Sequence, residues 1–249
     1  MSRPASALAA TLAQTAMELR LTARRGENVL VTIIVPAVVL LFFASVSVLP
    51  TDAGRPVDFL LPGSLALAVI ATSLVNLGIA TAYERHYGVL KRLGGSPLTR
   101  GGLLAAKMMA VLAVEVAQTV LLVAIAILTL GWNAPSGAAP ALLVAALLLG
   151  TLAFAGLGLL LAGALRAEAT LALANGLFIA ALLLGGIVLP VGHLPGPLAA
   201  IAGVLPAAAL ADAFRVALGS GGDAVRPLAI LVMWGGGAAA LAVRTFRWE

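Results

Sequence analysis

Six long apolar runs constrain the fold of this 249-residue chain more than any other feature of its sequence. A bilayer core about 30 Å thick needs roughly 20 apolar residues per helix, because backbone polar groups in lipid must pair within the segment. Only 10% of the residues are charged, whereas about a quarter are charged in a soluble domain. We therefore predict an all-α integral membrane protein with a single domain over residues 1–249. The predicted spans are residues 29–49, 59–81, 103–130, 138–165, 170–189 and 225–243.

The basic residues are unevenly distributed between the two sides of these spans. Twelve of the 15 Lys and Arg residues lie before span one, close to the loop 82–102, between spans four and five, or after span six. Such residues accumulate on the cytoplasmic side of a membrane, so we expect both termini and the loop 82–102 to be cytoplasmic. The net charge of +5 then reflects loops that flank a membrane, and we expect no nucleic-acid partner.

Two segments outside the spans have patterns of their own. In residues 1–28, apolar side chains recur at helical spacing, which predicts an amphipathic elbow helix on the cytoplasmic surface. Residues 190–224 are apolar, but four prolines divide them into pieces too short to cross a bilayer. We expect this segment to be a re-entrant helical hairpin on the extracellular side before the last span. An ordinary extracellular loop is the alternative.

The loop 82–102 carries a dense run of charged residues between the second and third spans. Gly94 suits the left-handed residue that follows a helix ending at Leu93. Ser96 and Pro97 suit the N-cap and the first position of the next helix. The sequence therefore predicts two short helices held beneath the membrane. Taken alone, such a loop is also explained as a solvated face that only sets the topology.

This loop resembles the first cytoplasmic loop of the permease subunits of ABC-2 type ABC transporters, including those of the daunorubicin-resistance type. Their pattern is Glu-Arg-x-x-Gly-Thr-Leu-Lys-x-Leu-x-x-Ser-Pro-Leu, followed about ten residues later by Lys or Arg. This chain departs from it at Val89, where threonine is usual. The matching residues are Glu84, Arg85, Gly88, Leu90, Lys91, Leu93, Ser96, Pro97, Leu98 and Lys107.

The resemblance implies a permease subunit of an ATP-driven exporter in the inner membrane of a bacterium. It also implies a homodimer, or a heterodimer with a like permease, that sits on two separate ATPase subunits and moves a drug, lipid or other small amphiphile. ATP and Mg²⁺ would be bound by the ATPase, and this chain, which has no Gly-x-x-x-x-Gly-Lys-Ser/Thr loop, would hold no cofactor. The residues that would couple it to the ATPase are Glu84, Arg85, Gly88, Leu90, Lys91 and Leu93.

Several polar residues lie inside the predicted spans. Glu115 is close to the middle of span three, where a charged carboxylate costs about 2.5 to 3.5 kcal/mol on insertion scales. Gln118 lies three residues further on and shares its helix face. Two interpretations of Glu115 are open. It either contacts a cationic cargo or relays protons, which are functional roles, or it is protonated and hydrogen-bonds a neighbouring helix, which is a structural role. Asn76 and Asn175 accompany stripes of small residues that suit close helix packing, and both are candidates to line the transport path.

Other membrane-protein classes fit the sequence less well. The two histidines, His86 and His193, are expected on opposite sides of the membrane, and the chain has no cysteine, so no metal site or catalytic triad of an integral-membrane enzyme is expected. A secondary transporter often contains an internal repeat, and we find none. A channel or secondary transporter that does not use ATP remains the alternative function, ahead of an enzyme.

Overall fold

The computed structural model describes residues 6–24, 26–46, 55–95 and 98–245, and these contain helices and connecting turns but no strand. The prediction of an all-α protein is confirmed. The α-helices are α1 (Ala7–Arg24), α2 (Gly26–Ser45), α3 (Pro56–Val69), α4 (Leu77–His86), α5 (Val89–Gly94), α6 (Arg100–Leu130), α7 (Pro140–Ala164), α8 (Ala167–Leu184), α9 (Gly196–Ala202), α10 (Pro206–Ala217) and α11 (Val225–Thr245).

Five helices in the described part of the chain are long and apolar enough to cross a membrane. The first is continuous from Pro56 to His86, because a π-helical segment, Ile70–Asn76, joins α3 to α4. The others are α6, α7, α8 and α11. Helix α2 overlaps the predicted first span and contributes a shorter apolar stretch, Thr32–Ser45. The end of that predicted span, residues 47–49, lies outside the described residues.

The core of the bundle is built from α3, the π-helical segment, α7 and α10. Glycines allow backbones to approach closely here, which is how membrane helices associate without a hydrophobic driving force between them. A Cβ atom at Gly158 of α7 would lie 2.9 Å from the carbonyl oxygens of Ser73 and Leu74. The π-helical segment is therefore in backbone contact with α7 at this point.

Different helices meet at the two ends of the bundle. At one end, a buried apolar cluster brings together Leu77 of α4, Leu90 of α5, Leu103 of α6 and Ala242 of α11. We call this the α5 end. At the other end, the Ala139 amide at the start of α7 donates to the Ala217 carbonyl at the end of α10, with a distance of 2.8 Å. We call this the α10 end.

Residues 190–224 form two short helices rather than an irregular loop. After a single 3₁₀ turn, Val191–His193, come α9 and α10, whose axes differ by 75°. Helix α10 is mostly buried against α3, α7 and α11, which covers its backbone with protein as a broken or re-entrant membrane segment requires. This bent pair fits either the predicted re-entrant hairpin or a broken span.

Candidate functional site

The chain reverses direction at Gly88, between α4 and α5. Gly88 has φ of 71°, a left-handed conformation that costs a glycine little, and its carbonyl accepts from the Arg92 amide in the first turn of α5. The sequence placed this left-handed residue at Gly94, which is wrong, because Gly94 is the last residue of α5. The prediction failed because glycines occur at both ends of a very short helix.

Helix α6 begins later than the sequence suggested. Ser96 and Pro97, predicted as its N-cap and first residue, lie outside the described residues, and the backbone at Leu98 and Thr99 is not helical. The N-cap is Thr99, whose hydroxyl accepts from the Gly102 amide at 3.0 Å. Pro97 is therefore not the first residue of α6, and the helix runs from Arg100 to Leu130.

An ion-pair cluster at the α5 end joins three helices. Lys107 of α6 has only 1% of its side chain exposed, and its Nζ lies 2.7 Å from Glu84 Oε2 and 3.0 Å from Glu18 Oε1. Glu84 lies in the last turn of the long helix Pro56–His86. Glu18 belongs to the elbow helix α1, where it also accepts from the Gln14 side chain. We call Glu18, Glu84 and Lys107 the basal ion cluster. It fixes α1 and α4 against α6.

Arg85, next to Glu84, connects the same region to α7. Its Nη1 donates to the Gly163 carbonyl at 2.5 Å, and its Nη2 donates to the Leu165 carbonyl. Helix α7 ends at Ala164 and Leu165 is its C-cap, so both carbonyls lie at the end of the helix, where no intrahelical donor remains. Arg85 thus caps α7 from a neighbouring helix.

The predicted coupling residues divide into an inward and an outward set. Glu84 and Arg85 face the bundle, and Leu90 is fully buried in the apolar cluster of the α5 end. Lys91 is exposed, whereas Leu93 is half-buried and packs against the same cluster.

Sequence reasoning missed the most exposed large side chains of this region. Tyr87 is 69% exposed and Val89 is 40% exposed, and they flank the Gly88 turn. Arg92 is also exposed. We call Tyr87, Val89, Lys91 and Arg92 the turn surface. An available signal was the break in helical pattern at Gly88, which leaves its neighbours at the tip of the loop.

Within the spans, Glu115 and Gln118 contact different neighbours although they lie three residues apart. Glu115 is fully buried and accepts a hydrogen bond from the Thr151 hydroxyl of α7. Its Oε1 has no hydrogen-bond partner among the residues that the structure describes. Gln118 accepts from the Thr72 hydroxyl at 3.0 Å and donates to the Thr32 carbonyl at 3.3 Å. Glu115 therefore links α6 to α7, whereas Gln118 links α6 to α2 and to the π-helical segment.

Asn76 and Asn175 are far from equivalent. Asn76 donates to the Thr32 hydroxyl at 2.5 Å and lines a cavity of about 80 Å³. Thr32 and Thr72 also line this cavity, and so do all three residues of the basal ion cluster. Asn175 is exposed on α8, where it donates to the Leu171 carbonyl of its own helix. Of the four predicted path residues, only Asn76 lines this cavity.

The small-residue stripes also differ between the helices. On α3, the π-helical segment and α4, the stripe that contains Thr72 and Asn76 is buried or half-buried against neighbouring helices. On α8, Ala172 and Gly176 are exposed, and a Cβ at Gly176 would meet no atom within 4 Å. The α8 stripe therefore makes no close helix contact within this chain, in the part that the structure describes.

Comparison with known protein families finds a match that covers most of the chain. The model of a family described as ABC-2 type transporter matches residues 10–218, which include most of the elbow helix, the basal ion cluster, the turn surface and the bent pair α9 and α10. No curated protein sequence matches the chain. The matched range covers well over half of the chain.

Proposed function

Because this chain belongs to the ABC-2 type transporter family, we propose that it forms the path by which an ABC transporter exports a drug, lipid or other small amphiphile. Members of the family are membrane-spanning transport subunits and not enzymes, and ATP is hydrolysed in a separate subunit. They normally work with an ABC ATPase as partner. ATP and Mg²⁺ then belong to that partner, and the work of this chain is mechanical.

The turn surface is the proposed contact with the ATPase. Tyr87 and Val89 project from the loop, and Lys91 and Arg92 add positive charge beside them. The inward residues have a different role in this proposal, which is to attach the loop to the bundle. Glu84 does so through the basal ion cluster, Arg85 through the α7 carbonyls, and Leu90 through the apolar cluster.

One observation carries the proposal: the loop that bears the turn surface is tied to four helices. Glu84 ties it to α1 and α6, Arg85 ties it to α7, and α4 continues into the long helix Pro56–His86. A displacement of the turn surface is therefore transmitted to most of the bundle at once. The closed ATPase pair would favour one of two packings of the bundle, inward-facing or outward-facing. ATP binding and hydrolysis would therefore shift the bundle from one packing to the other.

Orientation and assembly complete the proposal. The α5 end carries Arg85, Lys91, Arg92, Arg166 and Arg244, which supports a cytoplasmic location for this end and for both termini. The membrane is the inner membrane of a bacterium in this proposal. A second permease, identical or similar, pairs with this one, and two ATPase subunits bind beneath them.

The test is co-purification with a candidate ATPase in lipid nanodiscs, followed by ATPase measurements across a panel of amphiphiles. Tyr87→Ala should weaken ATPase association and abolish cargo-stimulated hydrolysis while the chain still inserts into the membrane. Val225→Ala is the matched control, because Val225 is equally exposed but lies at the α10 end. If Tyr87→Ala and Val225→Ala behave alike, or if wild-type chain associates with no ATPase, the proposed function is wrong.

A further inference from the structure

A large cavity lies at the α10 end of the molecule, far from the basal ion cluster. Its volume is about 700 Å³, and it is lined by α9, α10, the start of α11 and the turn before α11. Small-molecule sites commonly have volumes of about 300 to 1,000 Å³. Part of the lining is apolar, including Ala199, Val216 and Ile230. The cavity is therefore large enough for a ligand with an apolar portion.

Four charged residues also line this cavity: Asp212, Arg215, Asp223 and Arg226. Arg215 is already held on several sides. Its Nη1 donates to Asp212 Oδ1 at 2.7 Å, its Nη2 donates to the Gly186 carbonyl, and its guanidinium lies 4.2 Å from the centre of the Phe59 ring. Arg215 is thus a positioning residue that orients Asp212.

The other three charged groups retain bonding capacity toward the cavity. The Asp212 side chain is 54% exposed, and only its Oδ1 is bound by Arg215. Asp223 accepts from the Val225 amide through Oδ1 at 2.8 Å, which leaves Oδ2 for a ligand. Arg226 is exposed, and its one hydrogen bond within the described ranges is a long one, 3.5 Å, to the Gly203 carbonyl. The cavity thus offers one adaptable cation and two carboxylates.

We propose that this cavity binds a zwitterionic amphiphile, meaning a molecule with an anionic group, an ammonium group and an apolar tail. Arg226 pairs with the phosphate or carboxylate of the ligand, because guanidinium groups bind both oxyanions well. Asp212 and Asp223 pair with the ammonium group. The tail lies against the apolar part of the cavity lining, which includes Ala199, Val216 and Ile230.

The charge arrangement also disfavours ligands that carry one charge only. A purely anionic amphiphile would bring its charge close to two carboxylates, and a purely cationic one would lie beside Arg226 and Arg215. Unmatched charges of this kind reduce affinity, and they supply specificity as much as matched ones do. The inference rests on the proposed export function, since it names the cargo class that the outward-facing state would hold.

The experiment measures equilibrium binding of a radiolabelled lysophosphatidylcholine to the full chain in nanodiscs made of phosphatidylglycerol. The competitors are dodecyl phosphate, dodecyltrimethylammonium and free phosphocholine. The lysolipid should bind at least about tenfold more tightly than each competitor. Dodecyl phosphate lacks the positive charge that is attracted to the two carboxylates, and dodecyltrimethylammonium lacks the phosphate that accepts charge-assisted hydrogen bonds from Arg226. Equal binding of either singly charged amphiphile would overturn the proposal. Equal binding of free phosphocholine would overturn the role of the tail and identify a site for soluble zwitterions.

Variants of the cavity locate the site. Arg226→Gln should weaken lysolipid binding about tenfold, because it removes the charged donors to the phosphate. Asp212→Asn should weaken it severalfold, because it removes one of the two negative charges that attract the quaternary ammonium. Their matched controls are Arg244→Gln, at the other end of α11, and Glu168→Gln, at the start of α8, and both should bind as wild type does. Each of these four side chains is exposed, and an asparagine at position 212 keeps an Oδ1 that can accept from Arg215, so the variants should fold. Unchanged binding in Arg226→Gln and Asp212→Asn would show that the lysolipid binds elsewhere and would reject this site.

The binding assay needs no nucleotide, which separates this inference from the proposed function. A chain that binds the lysolipid through Arg226 but associates with no ATPase would overturn the export function and keep the binding site. A chain that exports another amphiphile with an ATPase but does not bind the lysolipid would overturn the site alone.

Discussion

Replacing Lys107 with methionine should destabilise the bundle more than replacing any exposed lysine. Methionine keeps much of the volume of the lysine side chain but removes the ammonium group that pairs with Glu84 and Glu18 at 2.7 and 3.0 Å. Two neighbouring carboxylates then remain, with 12% and 14% of their side chains exposed. Removing one partner of a buried pair costs about 3 to 5 kcal/mol.

The lower end of that range applies here, because both carboxylates keep some contact with solvent. We expect a loss of about 3 kcal/mol in the free energy of unfolding, which is roughly a 100-fold change in the ratio of folded to unfolded protein. The assay is reversible unfolding of the chain in mixed detergent micelles, followed by circular dichroism. Lys91→Met is the control, because Lys91 is an exposed lysine on α5, where even an ion pair contributes at most about 1 kcal/mol.

A compensated variant separates charge from packing. Combining Lys107→Met with Glu18→Gln and Glu84→Gln leaves no unpaired charge, and neutral replacements of a buried ion pair are often neutral or stabilising. The triple variant should therefore recover most of the stability that the single variant loses. If Lys107→Met unfolds as wild type does, or if the triple variant is as unstable as the single one, the basal ion cluster does not hold α1 and α4 on α6.

Three further changes test other contacts. Gly158→Val should lower the free energy of unfolding by about 2 kcal/mol or more, since the new Cβ would lie 2.9 Å from two carbonyl oxygens. Gly236→Val is the control and should be as stable as wild type, because no atom lies within 4 Å of its Cβ. Similar losses in both variants would refute the contact. Arg85→Met should cost about 2 kcal/mol and speed amide hydrogen exchange in the last turn of α7, because it leaves the carbonyls of Gly163 and Leu165 without their donor. Unchanged exchange there would contradict the cap. Glu115→Gln should leave the free energy of unfolding and the export rate unchanged, since a carboxamide oxygen still accepts from Thr151. A variant that is stable but does not export would favour a proton relay.

The sequence was sufficient for the helical class and for the presence of long membrane helices. Run length and hydropathy are enough for both, because lipid forces each spanning segment to satisfy its own backbone. The motif that includes Glu84 and Lys107 also indicated the family that the comparison confirms. These properties depend on residues close together in the chain, or on a short pattern.

The partners of individual side chains were harder to predict. Periodicity placed Glu115 and Gln118 on one face of α6, but it carries no information on which helices lie opposite that face. Two different neighbours bind them, Thr151 for the first and Thr72 for the second. The inward direction of Glu84 was missed for the same reason, because its partner Lys107 lies beyond a chain reversal.

Turn geometry was the weakest part of the sequence prediction. The residues from Gly88 to Thr99 contain three glycines and several capping residues, so more than one placement of helix ends satisfied local rules. The contact of buried Leu90 with the apolar cluster selects the observed placement, and this contact is not local. The π-helical segment likewise has no distinctive composition, and its packing against Gly158 of α7 is a tertiary contact.

Two of the three helices that meet at the basal ion cluster are much longer than the hydrocarbon layer is thick. Pro56–His86 and α6 each have 31 residues, or about 46 Å at 1.5 Å per residue, whereas α8 has 18 residues, or about 27 Å. Against a core about 30 Å thick, the two long helices must tilt or protrude while α8 nearly matches. Hydrophobic mismatch therefore acts unequally within one bundle. Lipids with longer or shorter acyl chains will change the tilt of the helices that bear Glu84 and Lys107 more than the tilt of α8.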